Sequence, residues 1–177
     1  TYPVGISFDY GVHDFSKHAI ETYGCNIRYG AVAQLWQFNN EVLGHGFSTM
    51  AYAEPFLLAY DRFMLSIKAS AGLIALTNPY DPQNNPDNQA YSTHVAFPLA
   101  IEAVVYVPIT YKWAVICSGS FNHFSNGGIK KPNYGLNYTT VSIGLEHSFN
   151  NYGVPPRKSS QNMKLPHNTF RHRLETN

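Results

Sequence analysis

Charged residues are scarce in this sequence. Asp, Glu, Lys and Arg make up 13% of the 177 residues and leave a formal net charge of +1, so the chain lacks the basic surface that nucleic-acid binding requires. It also lacks an uninterrupted apolar run of about 18 residues, which excludes a transmembrane helix. The two cysteines, Cys25 and Cys117, form no metal-binding or redox motif. We expect free thiols, because they fall on non-adjacent predicted strands.

Helical periodicity is nearly absent as well, and an alternation of apolar and polar residues takes its place. Aromatic residues make up 15% of the chain, and the alternating segments are separated by stretches rich in Asn, Gly, Pro and Asp. A membrane-spanning strand needs only about 9–11 such residues. The alternation predicts seven strands, over residues 3–11, 25–38, 46–58, 62–77, 92–107, 111–125 and 136–149.

Each predicted strand has one apolar face and one polar face. In 92–107, for example, Phe97, Leu99 and Ile101 share one face, and Glu102 lies on the other. The polar faces carry Ser, Gly and about one charge per strand, which is sparse for a solvated surface. This composition suits a narrow lumen in which opposite charges pair, such as Lys68 with Glu102. The charged residues on the polar faces are Asp9, Arg28, Glu54, Lys68, Glu102 and Glu146.

These faces predict an all-β fold, an eight-stranded antiparallel outer-membrane β-barrel. Bacterial single-chain barrels have an even number of strands, so we expect one strand upstream of Thr1 in addition to the seven visible here. The connections 39–46, 78–91 and 126–135 would then lie outside the cell, and the turns near 59–61 and 108–110 in the periplasm. The connection 12–24 is longer than this arrangement prefers. Residues 1–149 form the predicted barrel, and residues 150–177 a flexible periplasmic tail.

One strand carries residues that could do chemistry. In 111–125, His123 and Ser125 share the otherwise apolar outward face and lie about 7 Å apart along the backbone. A histidine at that spacing can act as the general base for a serine hydroxyl. Asn137 lies on the outward face of the next strand at the same depth, so it could contact His123. The same pattern also fits interfacial polar residues at a point where a strand leaves the bilayer.

The segment HFSNGGIKKPNYGLN, from His123 to Asn137, resembles the active-site signature of the PagL-type lipid A 3-O-deacylases, also called acyloxyacyl hydrolases. The segments NNEVLG (39–44) and TNPYDPQNNPDN (77–88) resemble loops of that family, and the likeness spans residues 25–149. It implies an outer-membrane serine esterase of Gram-negative bacteria that removes the 3-O-linked acyl chain of lipid A at the outer leaflet. The implied chemistry needs no metal or other cofactor. The implied partners are lipid A, or lipopolysaccharide, and outer-membrane lipids.

The resemblance also implies roles for single residues. It assigns His123 as the base and Ser125 as the nucleophile, and the backbone N–H groups of Asn126 and Gly127 would receive the oxyanion. Asn133 matches a further position of the motif and is a supporting residue.

Asn137 departs from the best-known members of that family, which carry a Glu at this position. An amide oxygen can fix the tautomer of His123 but cannot stabilise the imidazolium by charge. Asn137 is therefore the expected third member of a catalytic triad with His123 and Ser125. Activity is expected only if an amide at this position is enough to support His123 as the base. Lys130 and Lys131, in the same loop, could contact the phosphates of lipid A or simply be solvated.

Two interpretations from other classes remain open at this point. The first is a non-catalytic outer-membrane barrel with a structural or adhesion role. The second is a soluble lipocalin-like binding barrel, which requires the apolar faces to point inward. The direction in which the apolar faces point separates the second interpretation from both membrane barrels.

Overall fold

A computed structural model describes residues 2–14, 16–60 and 62–149. The predicted tail 150–177 lies outside the described residues. The elements in chain order are β1 (Val4–Asp14), α1 (Lys17–Tyr23), β2 (Ile27–Gln37), β3 (His45–Ala59), β4 (Met64–Leu76), β5 (Val95–Pro108), β6 (Trp113–Ser125) and β7 (Leu136–His147). The seven predicted strands are confirmed, with ends that differ by a few residues.

The strands form one sheet in the order β1 to β7, and each pairs antiparallel with the next. Consecutive strands therefore lie side by side in an up-and-down order, as sequential strands commonly do. The sheet curls on itself: Arg28 on β2 donates to Glu146 on β7, with 2.7 Å between Nη1 and Oε1. The connections 38–44, 77–94 and 126–135 gather at one end of the sheet, which we call the loop end.

The apolar faces point outward. Along β5, Val95, Phe97, Leu99 and Ile101 are between 43% and 55% exposed, whereas Ala96 and Val104 on the opposite face are buried. The soluble lipocalin-like interpretation is therefore wrong, because it requires the reverse orientation. In the part of the chain that the structure describes, there is no helix with the length and apolarity needed to cross a bilayer.

The inward faces carry the predicted network of charges. The carboxylate of Glu54, fully buried, accepts from the guanidinium of Arg28, with 2.7 Å between Nη2 and Oε2. Lys68 bridges Asp9, at 3.0 Å, and Glu102, at 3.1 Å, which confirms the predicted pair across β4 and β5. Pairing of this kind lets ionised groups stay inside a low-dielectric interior, where a lone charge would be costly.

Aromatic and aliphatic side chains fill the barrel at the loop end. Tyr91, from the connection 77–94, is almost fully buried there and its hydroxyl donates to the carbonyl of Leu43. Burial raises the pKa of Tyr91 to about 12, so this phenol stays protonated and keeps its hydrogen bond at physiological pH. The members of this cluster, which we call the aromatic plug, are Trp36, Phe38, Ile74, Leu76, Tyr91, Ala96, Phe124 and Leu136.

The long connection 12–24 is explained by a helix. β1 continues to Asp14, because its ladder with β2 runs on to the pair Asp14 and Ile27. α1 then begins after Ser16, whose hydroxyl accepts from the N–H of Ala19 at 3.1 Å. It ends at Gly24, which adopts the left-handed conformation with φ 71°. Neither cysteine is in a disulfide, as expected from their separation.

Candidate active site

The register of β6 and β7 places His123 directly opposite Asn137. The distance from His123 Nδ1 to Asn137 Oδ1 is 2.8 Å. Because an amide oxygen can only accept a hydrogen bond, Nδ1 carries the proton in this pair. The other nitrogen, Nε2, then holds a lone pair that can accept a proton from a nucleophile. The predicted contact between these two residues is therefore present, and it selects a tautomer suited to a general base.

Ser125 is the last residue of β6 and lies on the same outward face as His123. Both side chains are half-buried, and Ser125 stands opposite Phe97 on β5. Within the described chain, the Ser125 hydroxyl makes no hydrogen bond, including none to His123. Catalytic hydrogen bonds of this type commonly form or tighten only when substrate is bound. The structure thus brings the predicted nucleophile and base to one site with the hydroxyl uncommitted.

The turn after Ser125 is shaped by the side chain of Asn126, which is fully buried. Its Oδ1 accepts from the N–H of Gly128 at 3.0 Å, and its own N–H donates to Oδ1 of Asn133 at 3.0 Å. Gly127 and Gly128 have φ values of 66° and 80°, a region that favours glycine. Of the two N–H groups predicted to receive an oxyanion, Asn126 is engaged by Asn133, while Gly127 has no hydrogen-bond partner among the described residues.

Lys130 and Lys131 are both exposed in the loop 126–135. Hydrogen bonds from the backbone N–H groups of Asn84 and Gln83 lower the pKa of Asp81, and the charge of Lys130 lowers it further. Lys130 therefore has a carboxylate of the neighbouring connection within electrostatic range. The positive charge of Lys130 would therefore act on an approaching phosphate and on the Asp81 carboxylate at the same time. Lys131 is not among the groups that lower the pKa of Asp81.

Gly135 lies directly behind the imidazole of His123. A Cβ at this position would lie 3.0 Å from Cε1 of His123 and 3.1 Å from the carbonyl oxygen of Phe124, and the φ of Gly135 is 75°. Any side chain here would press on the ring and strain the backbone. The absence of a side chain at Gly135 thus allows His123 to occupy its position against Asn137.

If the predicted roles hold, we expect Gly135→Ala to lower kcat for acyl-ester cleavage by about 10- to 100-fold, because a displaced imidazole cannot reach Ser125, the predicted nucleophile. The backbone strain should also lower the free energy of unfolding by about 1–3 kcal/mol. Gly24→Ala is the matched control, since Gly24 has a similar φ of 71° but no atom within 4 Å of the point that a Cβ would occupy. Rate assays and urea unfolding should show a stability loss in both variants and a rate loss only in Gly135→Ala. Equal rates in the two variants would contradict the role of Gly135.

A shallow groove on the outward surface ends at His123. Its volume is about 620 Å³, and it crosses β3 to β6, a distance of about 14 Å at ordinary strand spacing. Small side chains form its floor because alanines pair across the ladder between β3 and β4, Ala51 with Ala71 and Ala53 with Ala69. The apolar walls are Leu99, Ile101 and Phe121.

Several of these features could not be found from the sequence pattern. The sequence shows that the alanines of the groove alternate on predicted outward faces. It does not show that they pair with one another, because that pairing depends on the register between strands. Gly135 was visible only as a glycine in a turn. Ser92, which contacts the loop 126–135, carried no signal, because its partners are backbone and side-chain groups more than thirty residues away in sequence.

Comparisons with known proteins agree with this architecture. A family model described as "Lipid A 3-O-deacylase (PagL)" matches residues 2–146. The chain is similar in fold to a solved structure described as "Crystal structure of the outer membrane enzyme PagL", with a TM-score of 0.53 and 18% sequence identity over 82% of this chain and 89% of that chain. A search of curated proteins gave no match. The predicted fold class, an all-β barrel of the outer-membrane type, is confirmed.

Proposed function

This chain belongs to the lipid A 3-O-deacylase (PagL) family, and we propose that it is an outer-membrane serine esterase that hydrolyses the 3-O-linked acyl ester of lipid A. One observation carries the proposal. The hydrogen bond between His123 and Asn137, at 2.8 Å, orients a base beside Ser125 at the end of an apolar groove. A base, a hydroxyl and a place for an acyl chain are the parts that ester cleavage requires.

The proposed reaction is acyl transfer in two steps. His123 Nε2 takes the proton of Ser125 Oγ as that oxygen attacks the ester carbonyl, and the protonated imidazole then gives its proton to the departing sugar oxygen. Water, deprotonated by His123, next attacks the acyl-serine ester and releases the fatty acid, which restores Ser125. Asn137 accepts the Nδ1 proton throughout and keeps Nε2 as the reacting nitrogen.

The negative charge that develops on the carbonyl oxygen needs a donor, and Gly127 supplies it in this proposal. Its N–H has no partner among the described residues and follows Ser125 by two positions. Asn126 contributes mainly through its buried side chain, because its N–H is held by Asn133. A preorganised donor of this kind typically contributes about 10²–10³-fold to kcat.

The position of the site suits a substrate that stays in the membrane. Ser125 and His123 lie on the outward, apolar face of the sheet near the loop end, where an outer-leaflet lipid would be reached without leaving the bilayer. The groove floored by alanines would receive the acyl chain. Lys131, and to a lesser degree Lys130, would approach the phosphates of the lipid A headgroup.

Mass spectrometry of lipid A from outer membranes that contain this protein tests the proposal. We expect the wild-type protein to remove one acyl chain, with fragment ions that assign the loss to position 3, and Ser125→Ala to leave lipid A intact. Heat-dependent mobility in gels would verify that both proteins are folded barrels. Unchanged lipid A in the presence of folded wild-type protein would overturn the proposal and favour a structural or adhesion barrel.

A further inference from the structure

The loop 126–135 is held at two places by one short segment of the preceding connection, residues 89–92. At one end, the N–H groups of Tyr134 and Gly135 donate to the carbonyls of Gln89 and Ala90, at 3.1 and 2.9 Å. Near the middle of the loop, Ser92 donates to the carbonyl of Lys130 at 2.8 Å. The segment therefore contacts the loop behind His123 and also next to the turn that follows Ser125.

The segment 89–92 is itself fixed to the rest of the loop end. The side chain of Asn88, almost fully buried, accepts from the N–H groups of Ala90 and Tyr91 and donates to the carbonyl of Asn78. Tyr91 enters the aromatic plug and binds the carbonyl of Leu43. A segment with this many buried anchors can hold a neighbouring loop in one conformation.

Ser92 makes the most direct side-chain contact between this segment and the proposed site. It is 3% exposed, and its hydroxyl both donates to the Lys130 carbonyl and accepts from Nδ2 of Asn126, at 3.2 Å. Asn126 Nδ2 also donates to the carbonyl of Lys130, at 2.8 Å. One hydroxyl, one amide and one carbonyl thus form a closed, buried triangle of hydrogen bonds beneath the turn.

This triangle holds the side chain that shapes the turn around Gly127. With Nδ2 of Asn126 fixed by Ser92 and Lys130, its Oδ1 is left to accept from the N–H of Gly128. Gly127 lies between these two residues, and its N–H remains without a hydrogen-bond partner among the described residues. Loss of the Ser92 hydroxyl would release one side of Asn126 and let the turn rotate.

We propose that Ser92 is a positioning residue that holds the Asn126–Gly128 turn so that the Gly127 N–H faces the reacting carbonyl. This inference rests on the proposed deacylase function. Ser92 touches no reacting atom, and it acts through Asn126 and Lys130. Because a shift of about 1 Å in a reacting group can cost about 100-fold in rate, loss of this hydroxyl should affect the chemical step more than substrate binding.

The experiment compares Ser92→Ala with Ser48→Ala in the purified, folded protein, with lipid A in mixed micelles as substrate. Ser48 is a matched control: it is fully buried at the loop end, accepts from Trp36 and donates to Gln34, and none of its described hydrogen bonds reaches the loop 126–135. We expect Ser92→Ala to lower kcat by about 10- to 100-fold with KM within about twofold, while Ser48→Ala keeps both constants. Ser92→Cys, which keeps a polar group at this position but as a weaker hydrogen-bond donor, serves the same comparison if Ser92→Ala does not fold.

Amide hydrogen exchange of residues 127–130 gives a second measurement that does not depend on activity. We expect faster exchange in this stretch for Ser92→Ala and unchanged exchange for Ser48→Ala. If the wild-type protein is active but Ser92→Ala changes neither kcat nor amide exchange, the positioning role of Ser92 is overturned. The proposed function is not affected by that result. A folded wild-type protein that cleaves no lipid A would overturn the proposed function, and the positioning role with it.

Discussion

Ser125→Ala and His123→Ala are each expected to lower kcat for lipid A deacylation by about 10⁴–10⁶-fold, and the double variant to lose no more than either single variant. The reason is that the two side chains form one unit: without the base the hydroxyl is a poor nucleophile, and without the hydroxyl the base has no proton to accept. Such units show strongly non-additive losses. Release of fatty acid from lipid A micelles, followed over hours, would measure all three variants.

Two further variants serve as controls for this prediction. Ser120→Ala removes a hydroxyl that bonds to Thr140 on the inward faces of β6 and β7. His94→Ala removes an exposed imidazole that bonds to the carbonyl of Leu76 at the loop end. Both should keep kcat within about twofold, because surface or lumen changes away from a site usually have small effects. Additive losses in the Ser125→Ala/His123→Ala double variant would show that the two residues act separately.

Asn137→Asp is expected to raise kcat by about 10- to 100-fold. Asp has the same shape as Asn, so one carboxylate oxygen can occupy the position of the amide oxygen, 2.8 Å from Nδ1 of His123. The carboxylate would keep the tautomer and also stabilise the imidazolium that forms during the reaction. In serine proteases, the opposite change costs about 10⁴-fold, much of it from a wrong tautomer. Because the tautomer here is already correct, only the electrostatic part remains to be gained.

The control for Asn137→Asp should add one negative charge at the loop end without touching His123. Asn40→Asp does this, since the side chain of Asn40 accepts from the N–H of Val42, and a carboxylate accepts equally well. Parallel measurement of kcat for the two variants should show a gain only for Asn137→Asp. An unchanged or lower kcat in a folded Asn137→Asp protein would show that the neutral amide is the better partner for this site.

The strands and their faces could be predicted because both depend on short-range alternation. Phe97 and Leu99 point outward while Glu102 points inward, and that parity is fixed by the pleat of a single strand. The contact between His123 and Asn137 could also be predicted, because a single loop joins their strands and places both residues at the same depth in the membrane. The pair of Lys68 and Glu102 could be inferred in the same way, from neighbouring strands and shared parity.

Contacts that depend on how loops fold over one another could not be predicted in this way. Asn126 was expected to offer its N–H to an oxyanion, but Asn133 occupies it, because the loop between them turns back on itself. Ser92 lies 34 residues before Asn126, and no local pattern records that separation. The helix α1 was missed because seven residues give too short a window for helical periodicity, although Ser16 and Gly24 are typical cap residues.

Packed aromatic rings and ion pairs occupy much of the inward side of the sheet, and that has a consequence for the route by which a substrate would arrive. Bulky members of the aromatic plug such as Trp36, Phe38 and Phe124 pack across the loop end, and Arg28 and Lys68 are paired with carboxylates farther in. Because the chemistry is placed on the outer wall, a substrate never has to pass through the lumen. Under the proposed function, many copies of this protein would therefore modify lipids from the membrane side, with no need for a transport path through the barrel.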